Sequence, residues 1–318
     1  METNQAPAPV SVLSLNPALD ITYEIGQLLQ DQKAHALATR FDPGGNGINV
    51  GRALERLQIK AQVFCIVAGE IGLLLKHLLE RQLSEVHYEM VKGETRINGT
   101  LLERQPGIQY EVSGLGPTVP EAQLAKYLDN FVSRTGQGMA VLTGSTQPGI
   151  SNRLYAKLVE RIRAQGGLPV VDSHDEVLRH AIAARPFLIK PNRFELETLL
   201  GYGLPTLEAI ATEARKIQQQ GVDYICISLG GDGALLTGPE NSWHARGPAV
   251  TVNSTVGAGD SMVAGLVAGF SREESAPTAL RQAIACSAST VSKPGTELFC
   301  ADELDGLIDR TEIRILDI

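Results

Sequence analysis

Short apolar runs rich in β-branched residues recur along the chain, and helical patterns fill most of the intervals between them. The runs cover residues 10–15, 62–68, 139–143, 168–172, 187–190 and 224–229. Residues 48–57, 73–83, 121–132, 152–164, 193–200 and 207–220 carry apolar side chains at helical spacing. Gly or Pro punctuates the joints. This alternation predicts an α/β fold, with a mostly parallel central sheet and helices on both of its faces. Residues 21–41 and 86–112 break the rhythm: they are more polar and hold short β-like stretches, and they predict a small β lid inserted into the core. Residues 257–307 read as mainly helical.

A chain of 318 residues can bury one large core, and residues 9–318 are expected to form a single domain with its lid. Residues 1–8 are expected to be a disordered lead, with neither the basic region nor the apolar core of a signal peptide. The net charge of -8 repels polyanions at long range, which argues against nucleic acid as a partner. An anionic substrate must therefore meet a local cluster of cations. Cys65, Cys226, Cys286 and Cys300 form no CxxC pair and no zinc-like spacing. Scattered thiols suggest a reducing compartment, and no apolar run reaches membrane-spanning length. A cytoplasmic protein without a membrane partner is expected.

In open α/β sheets ligands bind beyond the C-terminal ends of the strands. Residues 16–20, 143–145, 172–173, 190–192 and 228–233 follow strand-like runs directly, so a cleft built from them is the natural site. No GxxxxGK[ST], GxGxxG or GxSxG pattern is present. The segment STVGAGDSMVAGLVAGF changes character at Gly257, from an extended pattern to small apolar residues at helical spacing. Gly257, Ala258 and Gly259 thus open a helix whose free amides and dipole suit an anion. A carboxylate at Asp260 could serve there as a general base toward a hydroxyl. On the local sequence alone a helix cap is the favoured reading of Asp260.

Six segments together settle that choice. They are PGGNGINVGRALERL (43–57), TGSTQPG (143–149), VDSHDEVL (171–178), IKPNRFEL (189–196), ISLGGDGAL (227–235) and TVGAGDS (255–261). Their content and order resemble the PfkB carbohydrate kinases of the ribokinase superfamily, from about Val10 to the C-terminus. NPALD near the start and STVGAGDSMVAG near the end resemble the hexose-phosphate branch, which holds minor-type 6-phosphofructokinases, 1-phosphofructokinases and tagatose-6-phosphate kinases. The resemblance implies a ribokinase-like three-layer α/β/α fold with a β-sheet lid. It also implies ATP- and Mg²⁺-dependent phosphorylation of a ketohexose monophosphate, with Asp260 as base and residues 257–259 as anion hole.

Further roles follow from the same resemblance. Asp20, Gly44, Gly45 and Asn49 would meet the sugar, Lys33 and Arg96 its phosphate, and Ser145 either one, with Arg104 a weaker candidate. Lys190 would approach the ATP phosphates, while Asn192 and Glu195 organise Mg²⁺ largely through water. Ser228, Gly230 and Gly233 would line the nucleotide. Residues 294–296 would flank the adenine and a monovalent-cation site for K⁺, which carbonyls near Ser254 and Val256 would complete. Asn46 stands where many 1-phosphofructokinases and tagatose-6-phosphate kinases have Lys. With Tyr110 it resembles the 6-phosphofructokinases, whereas ETRIN (94–98) resembles the 1-phosphofructokinases. Fructose 6-phosphate is the expected substrate, with fructose 1-phosphate and tagatose 6-phosphate as alternatives. A non-catalytic sensor of nucleotide or sugar phosphate is the competing class. Exposed lid edges predict a homodimer.

Overall fold

The computed structural model describes residues 8–316. The lead expected at residues 1–8 lies outside them, apart from Ala8. The chain opens with β1 (Val10–Ser14), β2 (Ala18–Ile25), β3 (Ala36–Gly44), α1 (Asn46–Arg56), β4 (Ala61–Ala68) and α2 (Gly69–Leu79). It continues through β5 (Val86–Val91), β6 (Arg96–Glu103), β7 (Gln109–Val112), α3 (Glu121–Thr135), β8 (Met139–Thr143) and α4 (Leu154–Ala164). Next come β9 (Leu168–Asp172), α5 (Asp175–Ala183), β10 (Leu188–Ile189), α6 (Arg193–Leu200), α7 (Leu207–Gln219) and β11 (Tyr224–Ser228). The last elements are β12 (Ala234–Thr237), β13 (Ser242–Arg246), α8 (Ala258–Ser271), α9 (Ala276–Val291), α10 (Leu304–Asp309) and β14 (Glu312–Leu316).

The main sheet has 10 strands in the order β14-β13-β12-β11-β10-β9-β8-β1-β4-β5. Pairing is parallel from β11 through to β5, and antiparallel from β11 out to β14. Burial on both faces follows from the side-chain alternation of strands. Val10, Val12, Val63 and Cys65 join the core under α1, α8 and α9. Leu13, Phe64, Ile66 and Leu142 join the opposite core under α3, α4 and α7. The expected mostly parallel, three-layer architecture is present. Successive crossovers leave β1 toward β4 on one side and β8 on the other, so the sheet's switch point lies at the C-terminal end of β1.

A second sheet of 4 strands, in the order β3-β2-β6-β7, forms the lid. Its composition corrects the expected boundaries. Residues 86–91 do not belong to it: β5 pairs in parallel with β4, beginning at Val63 and Val86, as the far edge of the main sheet. The polar alternation that suggested a lid strand there is that of a half-buried edge strand. The lid begins instead at Ala18, in the NPALD turn. Helix α5 and strands β12, β13 and β14 also go beyond the sequence reading, and the extended pattern before Gly257 forms no strand.

Helix α8 owes its position to small residues. A Cβ at Gly265 would lie 2.5 Å from Ala283 Cα, and one at Gly269 2.6 Å from Ala279 Cβ. Only glycine lets α8 approach α9 this closely, which fixes the N-terminal end of α8 near the C-terminal ends of the central strands.

Candidate active site

The left-handed Gly257 (φ 77°) caps α8 without a side-chain cap bond. Among the described residues, the amides of Gly259 and Asp260 have no backbone acceptor. They are free N–H groups at a helix N-terminus, a ready anion site. Asp260 sits in this first turn, yet its carboxylate caps nothing. Oδ1 accepts from Asn46 Nδ2 at 2.9 Å and Oδ2 from Asn49 Nδ2 at 2.9 Å. Both amides come from α1, on positions three apart that share one helix face. Asp260 is buried. Burial, reinforced by the negative charge of Asp172, pushes its pKa up to about 6 against the opposing pull of Asn49, Asn46 and Lys190.

Lys190 stands beside this turn. A Cβ at Gly259 would lie 3.5 Å from its Nζ, and Nζ itself is 3.1 Å from Asp172 Oδ1. Burial alone would lower the Lys190 ammonium, but Asp172 and Glu195 outweigh it and hold its pKa above the ordinary lysine value. Asp172 also accepts from Thr143 Oγ1 at 3.3 Å. The C-terminal ends of β8, β9 and β10 thus converge on the N-terminus of α8.

Asn192 and Glu195 close a capping box on α6: each side chain accepts the other's backbone amide at 2.8 Å. This leaves Glu195 Oε1 without a hydrogen bond among the described residues. Ser228, Gly230 and Gly233 line one wall of a cavity of about 610 Å³, and Ala258 and Gly259 line another part of it. Pro248, Val250, Ile284, Ala288 and Val291 supply an apolar end. Gly233 (φ 89°) cannot carry a side chain, since a Cβ would fall 2.0 Å from the Ala245 carbonyl oxygen. Ser228, Gly230 and Gly233 therefore share one cavity with Ala258 and Gly259, whereas Gly257, Lys190, Asn192 and Glu195 are not in its lining.

The lid side is a second constellation. Asp20 Oδ1 accepts from Asn98 Nδ2 at 2.8 Å. Burial drives the Asp20 pKa up to about 6; Asn98, Arg96 and Arg52 pull it down, while Asp42 pushes it further up. An ideal Cβ at Gly44 would sit 2.1 Å from Asp20 Oδ2, so a side chain there would displace the Asp20 carboxylate. Gly45 (φ 101°) turns the chain into α1. Arg96 Nε donates to the Asn16 carbonyl at 3.0 Å, and Asn16 Nδ2 donates to Ser145 Oγ at 3.1 Å.

Two expected residues fall elsewhere. Lys33 is exposed on the β2–β3 connection, with no hydrogen bond or ion pair among the described residues. Arg104 pairs with Glu24 at the outer part of the lid. The 294–296 turn does not line the cavity. Thr296 Oγ1 instead donates to Asp42 Oδ2 at 2.9 Å, on the lid strand β3. Near the suggested cation site, the Ser254 amide donates to the Val291 carbonyl at 3.2 Å and the Val256 amide to Ser254 Oγ at 3.2 Å. The carbonyls of Ser254 and Val256 accept nothing among the described residues.

Sequence reasoning assigned no catalytic part to Asn46, Asp172 or Asn98. Two signals were present. Asn46 lies three positions before Asn49 on a helix, and Asn98 two positions after Arg96 on a strand, so each shares a face with an expected residue.

A buried carboxylate, free helix-terminal amides and a buried lysine thus stand together at the C-terminal ends of the central strands, beside a cavity that Ala258 and Gly259 line. The model of the pfkB family carbohydrate kinases matches residues 14–303, and the chain belongs to that family. It is a sugar-phosphate kinase. The 1-phosphofructokinase of Bacillus subtilis (strain 168) is 32% identical over 292 residues, covering 91% of this chain and 95% of the relative. The 1-phosphofructokinase of Escherichia coli (strain K12) is 32% identical over 311 residues, covering 96% and 98%. Among solved structures, phosphofructokinase-2 from Escherichia coli in complex with potassium superposes with a TM-score of 0.90 at 29% identity, over 96% of this chain and 99% of that one. The same enzyme in complex with fructose-6-phosphate gives 0.89 at 28% identity, over 96% and 99%.

Proposed function

We propose that this protein transfers the γ-phosphoryl group of ATP to a fructose monophosphate, giving fructose 1,6-bisphosphate. The observation that carries the reading is the seating of Asp260. Both its oxygens are held by side-chain amides of α1, and its own backbone amide is one of the two free amides that open α8. A substrate hydroxyl on Asp260 would lose its proton as its oxygen attacks the γ-phosphorus. The amides of Gly259 and Asp260, with Lys190 beside them, would meet the charge of the transferring group. Asp20 and Asn98 would orient the sugar, and Arg96 is the best-placed cation for its phosphate. Lys33 remains a candidate for that phosphate if the lid closes. ATP would fill the cavity, its adenine at the apolar end.

Among the described residues no three metal-ligating side chains cluster. In this reading Mg²⁺ would come with the ATP phosphates, and Glu195 and Asn192 would reach it through water. The unpartnered carbonyls of Ser254 and Val256 are of the oxygen-donor type that K⁺ takes. Asn46 bears on the choice of substrate: its amide is spent on Asp260, whereas a lysine there could reach a phosphate. Fructose 6-phosphate is therefore the first reading. Fructose 1-phosphate is the second, supported by the ETRIN segment and by the names of the relatives at 32% identity. A panel of fructose 6-phosphate, fructose 1-phosphate and tagatose 6-phosphate, ranked by kcat/KM, tests the assignment. A best substrate that is not a fructose phosphate would overturn it.

The pH dependence follows from the two buried carboxyls. Asp260 and Asp20 would act as carboxylates, and burial pushes the pKa of each up to about 6. The expected kcat/KM for the sugar phosphate is level above about pH 7 and falls as pH drops through about 6. Persistence of full activity at pH 5 would exclude Asp260 as the base. The same shifts act oppositely on stability. Both groups bind protons more tightly folded than unfolded, so their contribution is fullest below about pH 4 and is lost as pH rises through 6.

The lid leaves Tyr23, Leu37, Phe41, Tyr110 and Val112 exposed. Pairing of two lids would cover such a surface, and a homodimer is the proposed state. Sedimentation at micromolar concentration is expected to give a dimer mass, whereas a monomer would refute it.

A further inference from the structure

Strands β2 and β3 set two acids directly opposite each other. Asp20 and Asp42 are register partners in an antiparallel pair. Like charges at such positions repel, and sheets normally avoid them. Here each acid has its own compensation. Asp20 has Asn98 and Arg96 on β6 and the nearby Arg52 on α1. Asp42 has Arg40, whose Nε lies 2.6 Å from Oδ2, and Thr296, whose hydroxyl donates to the same oxygen at 2.9 Å.

Arg40 is itself held from outside the lid. Its Nη1 donates to Glu297 Oε1 at 3.1 Å. Its Nη2 occupies the place a side chain at residue 295 would need, 2.1 Å from an ideal Cβ on Gly295. That glycine has φ 61°, a left-handed conformation in which a Cβ is also strained. The turn after α9 is thus shaped to receive a guanidinium from the lid. It begins just beyond Val291, which lines the cavity.

We propose that Arg40, seated in the 295–297 turn, is a positioning residue for sugar binding: it neutralises Asp42 and so keeps the facing Asp20 available as a carboxylate acceptor. The inference rests on the reading of Asp20 as a sugar contact. The groups that face this acid pair are Arg40 on β3, Arg96 and Asn98 on β6, Arg52 on α1, and Thr296 with Glu297 on the turn. Removing Arg40 leaves the Asp42 charge without its ion-pair partner beside Asp20, which favours the protonated form of Asp20. Removing the charge of Asp42 does the reverse. A role confined to holding the lid in place would make both substitutions harmful in the same sense.

The test is calorimetric binding of the preferred fructose phosphate to the full-length enzyme between pH 5 and 8. The substrate phosphate ionises in the same range, with a second pKa of about 6, but it does so equally for every variant. Arg40→Gln is expected to raise the pH at which affinity is half lost by about half a unit or more, and Asp42→Asn to lower it. Thr296→Val gives a second, milder route to the Arg40→Gln direction should either variant fold poorly. Shifts of the same sign in Arg40→Gln and Asp42→Asn, or no shift in either, would overturn the proposal while leaving the kinase assignment intact. Failure of the wild-type enzyme to bind any fructose phosphate would instead strike the proposed function, and this inference with it.

Discussion

Asp260→Asn is expected to lower kcat by about 10²- to 10⁴-fold while ATP binding stays within about twofold of wild type. The substitution keeps the shape of the side chain and removes its capacity to accept a proton. The helix should not suffer, because the carboxylate satisfies no amide of α8: its partners are Asn46 and Asn49. The cap of α8 is Gly257, which has no side chain to lose. The proposed nucleotide contacts along the cavity come from other residues. Steady-state turnover with calorimetric ATP titration separates the two effects. Turnover like wild type would show that Asp260 takes no proton.

Lys190→Met is expected to damage stability and catalysis together. The ammonium is 3.1 Å from Asp172, and both side chains are largely buried, at 6% and 12% exposure. Removing one partner of such a pair strands the other charge, at a cost of about 3–5 kcal/mol. Asp260 also loses the nearby cation that opposes the upward push of burial on its pKa. The acid limb of kcat/KM should therefore move above pH 6, and the transferring phosphoryl group loses its neighbouring charge. Urea unfolding and pH profiles measure the two consequences. Adding Asp172→Asn to Lys190→Met removes the stranded charge, so stability should largely return while turnover does not. Recovery of both would mean that Lys190 only balances Asp172.

The architecture was largely legible because the main sheet is buried on both faces. Runs such as 139–143 carry that burial in their composition, and the helices between them carry it in their spacing. Legibility failed at the sheet's edges. β5 is half exposed, so its polar alternation resembled that of a lid strand. β13 and β14 form the opposite edge, where the pattern is equally mixed. In the site, residues that depend on backbone freedom could be found from sequence. Gly44, Gly233 and Gly257 each stand where a Cβ would collide or strain. Pairings could not be found this way, since Asn46 and Asp260 are 214 positions apart and only the packing of α1 on α8 joins them. Nor could the 294–296 turn be placed. Its partner Asp42 lies 254 positions away, and the motif alone does not say which wall of the cleft it serves.

ADP release from ATP and Mg²⁺, measured with and without each hexose phosphate, tests the central claim most directly. The account predicts little release with ATP alone and strong stimulation by a fructose monophosphate, lost in Asp260→Asn. No stimulation by any sugar phosphate would contradict it, and would leave a binding protein built on a kinase fold.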